Sequence, residues 1–231
     1  MLTLAFDTSS KTAAVAILQD DTILYDVIIN AGFHHSEVLM PAIDQACRQA
    51  KIKIQDIDLF ACTLGPGSFT GLRIGTSTLK GFLSATGKPA AGVSSLAALA
   101  LNAETQASLI FAVMDAGRGQ VYCACYSYDD NHLLNQVGRE QVVNPKEIIL
   151  PDGEQNIIFV GDGAIKYQEI IKENAGRGII AFSAHQYIRA AAVGILGREK
   201  YNRNELLDPS AFVPIYLRSA DARPKKNLFE S

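Results

Sequence analysis

The chain has no tryptophan, and its 231 residues include only four cysteines and four histidines. Cys47, Cys62, Cys123 and Cys125 form no C-x-x-C pair, which argues against a zinc ribbon or a dithiol redox centre and for buried reduced thiols. His34 and His35 are the only histidines close in sequence, and adjacent positions on a helix do not share a face. An H-x-x-x-H metal pair is therefore missing and no metal site is expected. There is no G-x-S-x-G elbow and no Ser/His/Asp or Cys/His set. Gly65-Pro66-Gly67-Ser68 resembles a phosphate loop but lacks the Gly-Lys-Ser/Thr that completes one. The expectation is a chain with no catalytic residues of its own.

Charge is also sparse. Charged residues make up 19% of the chain and the formal net charge is -3. That excludes a polyanion-binding surface over the whole protein; a nucleic-acid role would need a local patch or a partner. No apolar run reaches the roughly 18 residues a membrane span needs. The opening MLTLAFDTSS has no basic segment and meets an acid at Asp7, so it does not read as a signal peptide. A cytoplasmic protein that binds no membrane is expected. With 48% hydrophobic residues, the chain can bury a core as one large domain or two small lobes.

What is present falls into two similar halves. Residues 2–6, 12–18 and 22–29 read as three antiparallel strands, with a turn at Asp20-Asp21. Val38, Leu39, Ala42, Ile43, Ala46, Cys47 and Ala50 recur at helical spacing, predicting a helix over 36–50, with Pro41 requiring a later or irregular start. A strand at 58–64, a helix over 68–85 ended by Gly87, a strand at 89–93 and a helix at 95–104 complete the order β-β-β-α-β-α-β-α. The pattern then restarts, with strands at 109–114, 120–127 and, more weakly, 132–137. A helix near 145–150, a strand at 157–160 and helices over 164–174 and 185–199 follow. LAFDTSSKTAAVAIL lies over AVMDAGRGQVYCACY with Asp7 above Asp115, which we read as an internal duplication. The expected division is an N-terminal lobe over 1–105 and a C-terminal lobe over 106–231.

Three features invite a functional reading. Asp7-Thr8-Ser9 and Asp115-Ala116-Gly117-Arg118-Gly119 occupy matching hairpin turns. Facing each other across a cleft, such turns can cradle nucleotide phosphates; equally, Asp, Ser and Gly are what tight hairpins use. The candidate nucleotide-binding set, in vestigial form, is Asp7, Thr8, Ser9, Asp115, Gly117 and Gly119. Ser68 reads either as an anion site or as an ordinary N-cap. The helix over 68–85 carries interior glycines at 71, 75 and 81, each costing roughly 1 kcal/mol relative to Ala. Gly71, Gly75, Thr78 and Ala85 form a face of small residues beside the apolar Leu72, Leu79, Phe82 and Leu83. Small residues allow a close neighbour, either the first helix of this chain or a helix of a second chain. Arg118, Arg218, Arg223, Lys225 and Lys226 read as candidate nucleic-acid contacts or as a solvated tail.

FDTSSKTAAVAIL, HSEVLMPAID, GPGSFTGLRIGTSTLKG, GVSSLAAL, MDAGRGQVY and PIYLRSAD occur in this order, and together they resemble the bacterial TsaB (YeaZ) family over residues 2–221. The resemblance implies an α/β fold of two ribonuclease-H-like lobes, shared with sugar kinases, actin and heat-shock chaperones. It implies a non-catalytic partner of TsaD that works with TsaE in threonylcarbamoylation of adenosine 37 in tRNAs reading codons that start with A. It further implies a homodimer when TsaD is absent, no cofactor of its own, and at most weak ATP or ADP at the partner interface, with tRNA reached through the complex. The implied interface residues are His35, Leu39, Ile43, Gly71, Leu72, Gly75 and Thr78. On that basis Gly75→Leu is expected to abolish TsaD binding while leaving the monomer folded. A free-standing kinase-like ATPase or peptidase, and a plain homodimeric structural protein, are the competing expectations.

Overall fold

The structure is a computed structural model that describes residues 1–30, 34–103, 107–151, 156–175 and 179–218. Two five-stranded sheets carry the same topology. The first contains β1 (Leu2–Asp7), β2 (Thr12–Gln19), β3 (Thr22–Asn30), β4 (Leu59–Gly65) and β5 (Ala90–Ser94), in the order β3-β2-β1-β4-β5. The second contains β6 (Leu109–Gly117), β7 (Gln120–Tyr128), β8 (Leu134–Val143), β9 (Asn156–Val160) and β10 (Ile179–Phe182), in the order β10-β9-β6-β7-β8. Read from the other edge, the second order repeats the first. In both sheets the opening three strands are antiparallel and the last two join in parallel. The duplication expected from the sequence is thus present strand for strand.

Strand alternation assigns the faces of the first sheet. Leu4 and Phe6 of β1 point to one core with α1 (His35–Ala50) and α2 (Phe69–Thr86), where Leu39, Ile43, Leu79 and Leu83 bury their side chains. Ala5 points the other way, to a core shared by both lobes. That core takes in Ala14, Ala16 and Ala61 of the first sheet, Ala112 and Ala124 of the second, and two helices between them: α3 (Ser95–Leu101) and α6 (Ala190–Asn202). A Cβ on Gly194 or Gly197 would stand 2.4 Å from Leu18 Cδ1 or 2.6 Å from Ala61 Cβ, so these glycines let α6 lie close on the sheet. The outer face of the second sheet is covered by α4 (Asp162–Lys166) and α5 (Gln168–Ala175).

Several expected boundaries differ. α1 starts at His35 and runs straight through Pro41, which stands exposed within it. The helix expected at 145–150 is a single 3₁₀ turn over Pro145–Glu147, because Asn144 and Glu147 cap each other and close it. α3 stops at Leu101, short of 104. The expected 164–174 helix is two, broken at Tyr167, and α6 begins five residues later than expected, at Ala190. β8 runs to Val143, well past 137, and β10 was not expected at all. The division at 105/106 separates the sheets, but the second half does not stay with its own sheet. α6 returns to the first sheet, where Asp26 accepts from Arg189 Nε at 2.9 Å and from the Ala191 backbone. Residues 207–215 then run along the first lobe, with Leu207 N–H donating to Ala90 O and Ile215 N–H to Leu64 O.

Candidate functional site

The first-lobe turn lies under α2. Asp7, Thr8 and Ser9 are all but fully buried. The Ser9 N–H and the Thr63 hydroxyl both donate to Asp7 Oδ1, at 3.0 and 2.5 Å. The Thr8 hydroxyl donates to Gly71 O at 2.7 Å, and the Ser68 N–H to Ser9 O at 2.7 Å. Glycines make this seat. A Cβ on Gly67 would lie 2.3 Å from Ser9 O, on Gly71 1.9 Å from Thr8 O, and on Gly75 2.6 Å from Thr8 Oγ1. The glycines of GPGSFTGLRIG therefore bring a loop and the first turns of α2 onto the β1–β2 hairpin. Ser68 is the N-cap, accepting from Gly71 N–H at 3.2 Å, and Gly87 ends the helix in the left-handed conformation.

Asp7 Oδ2 and Ser9 Oγ are buried without a well-formed hydrogen bond. Burial pushes the Asp7 carboxyl above the usual carboxylate range, against the pull of Ser9, Thr63 and the nearby His35. His35 is itself buried, its Nε2 2.9 Å from Ser10 O. His34 stands outside, 3.4 Å from Glu37. The two adjacent imidazoles thus sit in separate surroundings.

The second-lobe turn is open. Asp115 accepts from Gly117 N–H at 3.1 Å and from Lys166 Nζ at 2.7 Å, a contact that raises the Lys166 ammonium above its ordinary value. Gly117, Arg118 and Gly119 all have positive φ, and Arg118 and Gly119 are exposed. Behind Asp115, its N–H donates to Asp162, whose carboxyl is pushed up by burial. Lys11, just past the first turn, is near enough to Asp162 to draw that carboxyl back down. A phosphate does not fit the first-lobe turn as it stands, because Asp7, Thr8 and Ser9 are buried, the Thr8 hydroxyl is taken by Gly71 O and the Ser9 N–H by Asp7. Of the candidate nucleotide-binding set, Asp7, Thr8 and Ser9 are thus buried, while Asp115 and Gly117 are partly buried and Gly119 is exposed.

A second candidate lies on the outer face of the first lobe. α1 and α2 diverge around a groove of about 460 Å³, whose walls include Leu39, Met40, Phe69, Arg73, Ile74 and Thr78. Met40 is 49% exposed although apolar. Of the seven interface residues expected from sequence, Leu39 and Thr78 line this groove. His35, Ile43, Gly71, Leu72 and Gly75 are buried within the lobe. A Cβ on Gly71 or Gly75 would meet the backbone or the side chain of Thr8, not the first helix. Gly81 differs: it is exposed, and a Cβ there would meet nothing within 4 Å. The sequence signalled this surface only through the small-residue face; Met40, Phe69 and Arg73 carried no signal of their own. Arg218, a candidate nucleic-acid contact, instead donates to Ala116 O at 3.0 Å and to Gln120. Arg223, Lys225 and Lys226 lie outside the described residues.

Among the described residues no group of three His, Cys, Asp or Glu side chains is placed to hold a metal ion, and no helix is long and apolar enough to cross a membrane. All four cysteines are free thiols; burial pushes Cys123 up to about 12 and Cys125 to about 11.

Comparison with known proteins gives this geometry its relatives. A family model described as TsaD, tRNA N6-adenosine threonylcarbamoyltransferase, matches residues 29–226. The tRNA threonylcarbamoyladenosine biosynthesis protein TsaB of Bacillus subtilis is 34% identical over 228 residues, which cover 97% of this chain and 97% of that protein. The solved structure of YeaZ from Pseudomonas aeruginosa matches with a TM-score of 0.82 at 28% identity, covering 94% of this chain and 99% of that one. Component A of the (R)-2-hydroxyglutaryl-CoA dehydratase of Acidaminococcus fermentans shares the fold alone, with a TM-score of 0.54 at 12% identity over 87% and 99% of the two chains.

Proposed function

This chain belongs to the TsaB family of tRNA threonylcarbamoyladenosine biosynthesis proteins, within the wider family that the TsaD model describes, and from that premise we propose that it is a non-catalytic subunit that binds and activates TsaD. With TsaE, the pair would place the threonylcarbamoyl group on adenosine 37 of tRNAs reading codons that start with A. The observation that carries the reading is the α1–α2 groove: an apolar, solvent-open seat with Met40 half exposed on one wall and Phe69 and Ile74 on the other. Contiguous exposed apolar surface of this kind marks a binding site for another protein. Ser77, Gly81 and Ser84 follow at i, i+4 and i+7 on exposed positions of α2, where a partner helix can come close.

The non-catalytic part is supported by the fate of the polar residues. Asp7 and Ser9 are buried, Asp7 Oδ1 is engaged by the Thr63 hydroxyl and the Ser9 N–H, and His35 is held by Ser10 O. His34 and His35 cannot share an ion from their separate surroundings.

The test is threonylcarbamoyladenosine formation in a reconstituted reaction of TsaD, TsaE, threonylcarbamoyl-adenylate and tRNA. Product is expected only when this protein is added. Full activity without it, or turnover by this protein alone, would refute the proposal.

A further inference from the structure

A standard protein–protein interface takes about 20–30 residues from each side. The groove is lined by nine, so a stable complex needs more surface than α1 and α2 enclose. The surface that continues it lies along residues 212–216, on the strap that returns from the second half of the chain. Val213 is 64% exposed, Ile215 50% and Tyr216 39%. The strap meets the groove at Tyr216, whose ring packs 4.9 Å from that of Phe69, which lines it.

The strap is firmly seated. Phe212 is buried in the first-lobe core, Ile215 N–H donates to Leu64 O at 2.7 Å, and Arg218 holds Ala116 O. Gly65 is necessary for this, because a Cβ there would lie 2.3 Å from Ile215 O. Backbone and neighbours are thus satisfied while the apolar side chains face water, and a preorganised apolar strip loses little entropy when it is covered.

We propose that the partner bound at the α1–α2 groove also covers this strap, so that the docking face has three strips: α1, α2, and Val213 to Tyr216. The inference rests on the TsaD-binding reading and extends it. Charge favours TsaD over a second copy of this chain. No Asp or Glu occurs between residues 65 and 103, and Arg73 and Lys80 sit over Phe69 and Phe212, at 4.0 and 4.9 Å from the ring centres. The α2 strip and the strap beside it are therefore rimmed by cations, whereas α1 exposes Glu37 and Asp44. A symmetric dimer about α2 would oppose like charges, whereas a partner with carboxylates at those places is complementary.

The test is the affinity of the full chain for the TsaD protein of the same organism, by titration calorimetry. Val213→Asp, Ile215→Asp and Ile215→Ala would be compared with the groove variant Met40→Asp, with melting temperatures confirming that each is folded. Each Asp variant on the strap is expected to raise Kd at least tenfold, as Met40→Asp does, and Ile215→Ala severalfold. A loss confined to Met40→Asp would overturn the strap's role and leave the groove standing. A loss with the Asp variants but none with Ile215→Ala would overturn it too, since the introduced charge alone would then account for the effect. Wild-type affinity in all four variants, or no binding by the wild-type chain, would overturn both readings.

Discussion

The two hairpin turns occupy matching places in the two sheets and differ in what covers them. In the first lobe the 18-residue α2 sits directly on Asp7-Thr8-Ser9, and three glycines make room for it. In the second, the five-residue α4 stands behind Asp115 and leaves Gly117, Arg118 and Gly119 at the surface. Gly163 and Gly161 do there on a smaller scale what Gly67 and Gly71 do in the first lobe, meeting the backbone of Asp115 and Val113. The same topology has thus produced one sealed turn and one open turn. Duplication preserves strand order more readily than it preserves a site, because a site needs both the turn and an unobstructed approach to it.

The largest effect should come from breaking the seal. Gly71→Leu puts a Cβ 1.9 Å from the carbonyl of Thr8. The expected loss exceeds about 4 kcal/mol, enough to abolish soluble protein. Gly119→Ala is the matched change in the open turn. It meets nothing within 4 Å and carries only the strain of φ 75°, for roughly 1–2 kcal/mol. Urea melts of the two variants make the comparison; equal losses would mean that the turns are not differently enclosed.

Next in size is the response to pH. Burial raises the Asp7 carboxyl, so the folded state holds its proton to higher pH than the unfolded chain does. The sign follows: the ionised, buried Asp7 costs stability at neutral pH, and that cost disappears as pH falls to about 4, the unfolded value. Asp7→Asn should therefore raise the melting temperature at pH 7, by roughly 3 °C for each kcal/mol recovered, and lose that advantage toward pH 4. Asp115→Asn keeps an oxygen for the Gly117 N–H and removes the charge opposite the half-exposed Lys166, so it should change stability by about 1 kcal/mol. Thermal melts of both variants from pH 4 to 8 check this, and a larger effect at Asp115 than at Asp7 would reverse the assignment of sealed and open.

The smallest expected effect is none. With its first turn sealed, the cleft should gain nothing from ATP and magnesium. A ligand at 100 times its Kd would stabilise by about 2.7 kcal/mol, so a thermal shift of that size would show that α2 moves aside to admit a nucleotide.

Much of the fold was legible because its signals are local. Strand alternation, the helical stripe from Val38 to Ala50 and the overlay of Asp7 on Asp115 all survive in the structure. β8 was underestimated because its exposed positions, such as Asn135, Gln136 and Arg139, are polar. β10 is only four residues long, too short for periodicity to register. The return of α6 to the first sheet had no local signal beyond its small residues, since Gly194 and Gly197 say that something lies close without saying what. The same limit applied to the site. The glycines of α2 announced a tight contact, but a sequence cannot distinguish the hairpin of its own chain from the helix of another. The groove and the strap were hidden because their walls, Met40, Phe69 and Ile215, come together only through the tertiary fold.

The most direct test of this account is the melting temperature of Gly75→Leu. The structure places its new side chain against Thr8 Oγ1 and Cys62 Sγ, at 2.6 and 3.3 Å from Cβ. Overpacking of that kind costs about 1–3 kcal/mol or more, so the melting temperature should fall by roughly 3–10 °C or the chain should fail to fold. A variant that melts like the wild type and has lost only its affinity for TsaD would contradict the account, and would return the glycines to the interface between two chains.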